Sequence, residues 1–351
     1  MEFRLRQRGR AEMEFLVDLA LAARPLEARW RAEIEDAGLT ADALPEDLDA
    51  RHAVVERALA RSDAFATAAL VGDFASVEHG RAAQAAFDEV ADALRPRLAE
   101  LEAQGPATLE ANPQLVPPAY WDGVWFHRTT GGWNGHPEMG FIHGELIHRH
   151  YVARTFPGDI FAQRARVLSR LPQAARAKVR TVCELGTSSG HYTVALQRTL
   201  PDAHITGVEL SLPMLRQAQR VANAHGWPWR LVQGPAEATG LPGNSFDLVT
   251  SYILLHELPA EAANAVWREA YRLCRPGGWV LMADVTPYRA LDRLAAWRAD
   301  WLARRGGEPW WRESASMDHA EAARQAGFVD VTEGGLDGAP YPWVTLGRKP
   351  R

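Results

Sequence analysis

Cysteine is scarce in this chain: there are two in 351 residues, Cys183 and Cys274. Both stand in apolar stretches, CELG and RLCRPGG, where a free thiol packs as a small hydrophobe. Two buried, reduced thiols imply a reducing, cytoplasmic compartment. Basic charge is also short, with 39 Lys and Arg against 44 Asp and Glu and a net charge of −5. That balance gives no electrostatic case for nucleic acid or an acidic membrane as partner. No stretch reaches the ~18 uninterrupted apolar residues of a membrane span. The start has the outline of a secretory signal, with Arg4, Arg6, Arg8 and Arg10 before FLVDLALAA, but Glu12, Glu14 and Asp18 break the apolar run. A signal peptide is therefore not expected. No repeat of fixed period occurs.

What is present divides in two. The length favours two domains, and 47% hydrophobic residues supply a core for each. Residues 1 to about 105 are rich in Ala, Leu, Arg and Glu. Phe15, Leu19, Ala22 and Leu26 recur at helical spacing within Ala11 to Leu26, and the runs 49–71 and 76–101 behave alike. This predicts an all-α domain. Four prolines between Pro106 and Pro118 mark a linker or surface loop. The segment 120–156 then holds three tryptophans, five histidines and a run of glycines. From TVCEL onward, short β-rich runs alternate with helical ones, which predicts a mostly parallel sheet with helices on both faces. Two last strands are expected near Val329–Glu333 and Pro342–Gly347. The expected domains are 1–155, including the 120–156 segment as a lid or substrate wall, and 156–351.

The most informative stretch is Val182 to Thr193, VCELGTSSGHYT. A buried strand runs into a turn with Gly186, Ser188 and Gly190, and a helix follows. Glycine permits the tight backbone and lets a ligand approach the main chain. A dinucleotide site would need G-x-G-x-x-G, and the spacing here is G-x-x-x-G. ELGTSSG resembles the first motif of class I S-adenosylmethionine-dependent methyltransferases. HITGVEL, QGPAEATGLP, SFDLVTSYILLHELP and LCRPGGWVLMAD follow as further motifs in order, so the resemblance covers about residues 160–351.

The resemblance implies a Rossmann-like, seven-stranded, mostly parallel α/β sheet behind the N-terminal all-α domain. It implies S-adenosylmethionine as cofactor, with Gly186, Thr187, Ser188 and Gly190 wrapping its methionine part and Glu184 near its amino group. Glu209, at the end of the second strand, would hold both ribose hydroxyls by charge-assisted hydrogen bonds. Leu210 and Met214 would flank the adenine, and Tyr252 would complete the set. Family members commonly place an aspartate against the adenine amino group. Pro235 takes that position here, so Ala236 and Glu237 are expected to substitute.

Methyl transfer requires the acceptor to be placed near the methyl carbon and water to be excluded. A base helps when the acceptor is a hydroxyl. His256, just past the fourth strand in LLHELP, is the first candidate, with Glu257 beside it to orient it; the alternative for His256 is a residue that caps the strand or helix end and packs against the lid. His143 and His148 form a second catalytic or substrate-facing pair. Trp133, His136, Glu145 and Arg149 are expected to contribute to the substrate wall; for Trp297, which shares a helix face with Trp301, packing of that helix on the N-terminal domain is favoured over a place in the wall. HGELIH is not the H-E-x-x-H zinc signature. Glu145 and His148 would share a helix face at i, i+3, but no second such pair completes a di-iron set. No metal is expected. The reading is methyl transfer to a small, aromatic or heterocyclic metabolite at oxygen, nitrogen or carbon. A homodimer through the N-terminal helices is a further expectation. Alternatives are a protein methyltransferase, a non-catalytic cofactor-binding regulator, and a metal-dependent enzyme built on the His-rich segment.

Overall fold

Polar caps divide the N-terminal third into helices. Asp47 accepts from the Ala50 N–H and Ser62 from the Phe65 N–H, so each starts a helix. In the computed structural model, which describes residues 3–156 and 159–351, these helices are α1 (Gln7–Asp36), α2 (Leu48–Ala58), α3 (Asp63–Asp88) and α4 (Ala91–Ala103). The run 49–71, read as one helix, is therefore two, because Ser62 caps within it. α1 continues through Pro25, ten residues beyond the expected end at Leu26.

The Pro-rich connection carries a strand that sequence reading took for a loop, β1 (Thr108–Glu110). Gly105, at φ +143°, lies so close to Asn223 that any Cβ would overlap it. The Asn223 side chain accepts from the Ala107 N–H at 2.9 Å, and the Thr108 N–H donates to Trp229 at 2.9 Å. These bonds steer a short segment onto the sheet edge.

The other strands are β2 (Thr181–Leu185), β3 (His204–Glu209), β4 (Arg230–Gln233), β5 (Phe246–Tyr252), β6 (Cys274–Asp284), β7 (Val329–Gly335) and β8 (Trp343–Arg348). The sheet has eight strands in the order β1-β4-β3-β2-β5-β6-β8-β7. β8 pairs antiparallel with both neighbours, and the remaining pairs are parallel. The seven expected strands are β2 to β8, and β1 is an addition from the N-terminal half. Strand order reverses beside β2, and ligands of open α/β sheets bind at such a point.

Helices α5 (Ile160–Val167), α6 (His191–Thr199) and α7 (Leu212–His225) cover one face, where Leu196 and Leu215 meet Val182 and Ile205. The other face carries α8 (Ala260–Leu273), α9 (Arg293–Gly306), α10 (Trp311–Ser316) and α11 (His319–Ala326) in part. There Val266, Trp267 and Phe328 pack on Cys183, Val249 and Val280. Successive β2 residues thus serve opposite cores, as the strand period requires. Both cysteines are buried and free. α11 begins at the expected Asp318 cap and ends at Gly327, φ +110°.

α9 joins the halves. Its Trp297 is fully buried against Trp30 of α1, ring centroids 5.9 Å apart at 77°. No helix among the described residues is long and apolar enough to cross a membrane.

Candidate active site

β2 ends in Glu184-Leu185 and the chain turns through Gly186 (φ +75°), Ser188 (φ +50°) and Gly190 (φ +89°) into α6. A Cβ on Gly186 would come within 2.9 Å of Leu254. Positive φ and close approach both demand glycine there. Gly207 of β3, absent from the sequence reading, matters equally: its missing Cβ leaves the space taken by the Thr187 side chain.

Two carboxylates frame this loop. Glu209 accepts from the Ser188 N–H (3.0 Å) and the Ser211 N–H (2.9 Å). Glu184 accepts from the Thr193 hydroxyl at 2.6 Å. Burial pushes Glu209 up to about 7 and Glu184 up to about 8, because desolvation disfavours the charged form. Beyond them lies a slot with Leu210, Met214, Ala236 and Glu237 in its wall. Tyr120 donates to Glu237 Oε1 at 2.6 Å, while Glu237 Oε2 is buried without a partner. Tyr252 donates to Gln163 at 2.9 Å and packs on Tyr192.

The loop opens into a cavity of about 790 Å³ bounded by both halves of the chain. Opposite the loop runs a π-helical segment, Ile142–Val152. Its i→i+5 winding stacks residues five apart, so His143 and His148 lie ring to ring at 4.5 Å. An α-helix would instead have paired Glu145 with His148, as the sequence suggested. His191 follows His148 at 5.0 Å, and Trp133 meets His143 at 4.7 Å. Burial lowers His143 and His148 well below the usual imidazole range and His191 to about 3, so this row is neutral. Glu145 turns away into the core toward Gln217 (3.3 Å) and Arg149 (3.1 Å). Arg149 is on the outside, and His136 packs on Phe87 while accepting from the Glu138 N–H. These three, with Trp297, do not reach the cavity; long-range packing decides their direction.

His256 does not reach the cavity. It is 1% exposed, its Nδ1 is 2.8 Å from Asp284 Oδ1, and Trp311 meets it edge-on at 5.1 Å. Burial opposes its charge, but Asp284, Glu308 and Glu257 together outweigh burial and raise it to about 9. It is therefore an inward-facing, charged residue outside the cavity wall. Asp284 also accepts from the Leu254 and Leu255 N–H groups, which fixes the turn after β5. That turn includes Ile253 at φ +57°, a strained conformation for a β-branched residue.

Glu257 does reach the cavity. Its Oε2 accepts from Trp133 Nε1 (3.1 Å) and its Oε1 lies 3.2 Å from His127 Nε2. His127 Nδ1 is 2.5 Å from Glu308 Oε1, and Glu308 Oε2 stands 3.9 Å from His256 Nε2. Burial disfavours the His127 cation, yet Glu308 and Glu257 together hold it well above the usual range. Sequence reading counted His127 among the five histidines of 120–156 without giving it a role, and missed Glu308 and Asp284. Asp284 was findable from its place at the carboxyl end of a strand; nothing local marks Glu308. Among the described residues no group of three or more His, Cys, Asp or Glu could hold a metal ion.

Residues 182–278 match the family model described as "Methyltransferase domain". The chain is 30% identical over 165 residues to a demethylmenaquinone methyltransferase of Roseiflexus castenholzii, covering 42% of this chain and 68% of that protein. It is 32% identical over 108 residues to a ubiquinone/menaquinone biosynthesis C-methyltransferase of Desulfotalea psychrophila, covering 30% of this chain and 42% of that protein. The match thus spans under half the length of that second relative. A solved structure of Haemonchus contortus phosphoethanolamine N-methyltransferase 2 in complex with S-adenosyl-L-methionine covers 69% of this chain and 62% of its own, at 16% identity and a TM-score of 0.47. With strand, glycine loop and acidic strand end in this order, the chain belongs to the class I S-adenosylmethionine-dependent methyltransferases.

Proposed function

We propose that this chain transfers the methyl group of S-adenosylmethionine to a small-molecule acceptor held in the cavity between the sheet and the N-terminal helices. One observation carries the reading: the glycine loop with Glu209 and the Trp133–Glu257–His127–Glu308 cluster line the same cavity. The residues fit the cofactor. The loop would wrap its methionine part beside Glu184, Glu209 would take the ribose hydroxyls, and the unpartnered Glu237 Oε2 supplies an acceptor beside the adenine slot. When bound, the cofactor supplies a methyl carbon on a positively charged sulfur.

The chain's own residues do the rest. Glu257, oriented by Trp133 and His127, takes the proton of the acceptor. His127, charged and clamped between two carboxylates, positions Glu257 instead of acting as base. His143 and His148, neutral and at the wall, hydrogen-bond the acceptor. His256 supports the turn from behind through Asp284. Residues 1–155 act as cover for residues 156–351. The names of the two relatives support a metabolite over a protein as acceptor. The test is transfer of labelled methyl from the cofactor: label is expected in the small-molecule fraction of a metabolite extract. Label confined to the protein fraction would overturn the reading.

The carboxylates make cofactor binding depend on pH. Glu209 near 7 and Glu184 near 8 are raised, so the free protein is most stable with both protonated and loses that stability as pH climbs through these values. A cationic cofactor favours their charged forms. Affinity, and thermal stabilisation by the cofactor, are therefore expected to rise between pH 6 and 8, affinity by about tenfold or more. His143, His148 and His191 stay neutral throughout, so they do not confound the profile. Calorimetric titrations across that range check it; a flat profile contradicts the assignment.

A further inference from the structure

The cavity is longer than the cofactor loop and the histidine row require. An arm of it runs out between α1, α3 and α9. α1 turns Ala20 and Ala23 toward it, α3 turns Gly72 and Ala75, and α9 turns Ala299 and Ala303. On each helix these positions lie three or four residues apart, which is the face that normally carries large core side chains. The same helices fill their other contacts with bulk, through Phe87 and Trp297, both buried, while Trp30 of α1 stands at the wall of the arm. The gap is thus local, and the small residues keep it open. Gly72 and Leu302, which also border the arm, are exposed, so the arm reaches the surface there. At the inner end, polar atoms await a partner. His143 is 9% exposed and its Nδ1 has none; Ser189 Oγ and Glu308 Oε2 are buried and also without a hydrogen bond, the latter facing His256 at 3.9 Å. Leaving such groups unpaired is costly.

We infer that the acceptor is amphipathic, with a polar head at His143 beside the cofactor loop and a hydrocarbon chain lying along the arm between α1, α3 and α9. This rests on the methyl-transfer reading, because it makes the arm part of the acceptor's site. The wall of the arm is chiefly apolar, with Val71, Leu302 and Trp30 beside the alanines and Gly72, while Arg24 and the paired Glu27 and Arg298 border it. Each methylene buried against the apolar part adds to affinity by removing apolar surface from water.

The test uses the full chain and a series of 4-n-alkylphenols, from methyl to octyl, titrated by calorimetry with and without S-adenosylhomocysteine. Affinity is expected to rise about two- to fourfold per added methylene. A Cβ on Gly72 meets nothing within 4 Å, so Gly72→Phe has room at its base and its ring enters the arm. That variant is expected to flatten the dependence on chain length, with Gly72→Ala retaining it. His143→Ala is expected to weaken every member by a similar factor and leave the slope. A wild-type affinity independent of chain length overturns the inference whatever the variants do, as does an unchanged slope in a folded Gly72→Phe protein. Failure of S-adenosylhomocysteine to bind strikes instead at the methyl-transfer reading, since the slope is also measured without it.

Discussion

Glu257→Gln is expected to lower methyl transfer by about two to four orders of magnitude, the usual contribution of a positioned base, with cofactor affinity kept. The substitution preserves shape, so the amide oxygen can still accept from Trp133 Nε1. The amide cannot take a proton from the acceptor, and its nitrogen would face His127, whose Nε2 now stands 3.2 Å from Glu257. Glu257 makes no hydrogen bond to the glycine loop. Its charge pushes Glu209 upward, so removing it favours the charged Glu209 and does not weaken cofactor binding. Labelled-methyl transfer and calorimetry on one preparation separate these effects. Equal losses in transfer and in cofactor affinity would place Glu257 in the binding site and remove its role as base. The same assay separates Glu257 from His256. Having no cavity contact, His256 should act through stability and the turn after β5, so a His256 variant is expected to melt lower.

Asp300→Ala is expected to cost about 3–5 kcal/mol of stability, the range for removing one partner from a buried charge network. Asp300 is fully buried. It lies 2.7 Å from His52 Nε2 and 2.9 Å from Arg304 Nε, and it accepts from the Tyr288 hydroxyl at 2.8 Å and from Arg312 Nε at 2.8 Å. His52 belongs to α2, while Tyr288 and the two arginines flank or belong to α9, so one carboxylate holds the N-terminal helices to the sheet domain. Removing it leaves His52 with Glu56 alone, at 3.5 Å, and Arg312 with Asp49 alone, at 2.7 Å. The melting temperature should fall by about 4–8 °C, at about 1–2 °C per kcal/mol for a chain longer than the 150–250 residues at which about 2–4 °C holds. A fall under about two degrees would show that the joint relies on the Trp30–Trp297 packing alone.

What the sequence disclosed was local. The turn from β2 into α6 needs glycine for reasons that lie within a few residues, and Glu209 ends its own strand, so both stood out without knowledge of the fold. The Asp318 cap and the Gly327 stop were legible on the same ground. What stayed hidden depends on residues far apart. β1 is three residues long and exists because Asn223 and Trp229 hold it. The π-helix reads as an α-helix in HGELIHRH; Gly140 and Gly144 let it lie against α7 and the cofactor loop, where a Cβ would meet Pro213 and Ser189. His256 looks like a rim residue until Asp284 and Trp311 close over it. His127 and Glu308 are 181 positions apart, and no spacing rule joins them. The helical spacing of Trp297 and Trp301 favoured packing on the N-terminal domain, but nothing local named Trp30 as the partner.

The central claim is that the β2–α6 loop and Glu209 hold S-adenosylmethionine. Calorimetric titration of the cofactor into the wild-type chain, Gly186→Arg and Glu209→Ala tests it most directly. Gly186→Arg places a Cβ against Leu254 at a positive φ, and Glu209→Ala removes the acceptor of two loop N–H groups as well as the ribose partner. The wild type should bind one equivalent, and each variant should lose about a hundredfold or more in affinity, given ~1.5–3 kcal/mol for each charged hydrogen bond lost. A wild type that does not bind, or folded variants that bind as well as it does, would contradict the account.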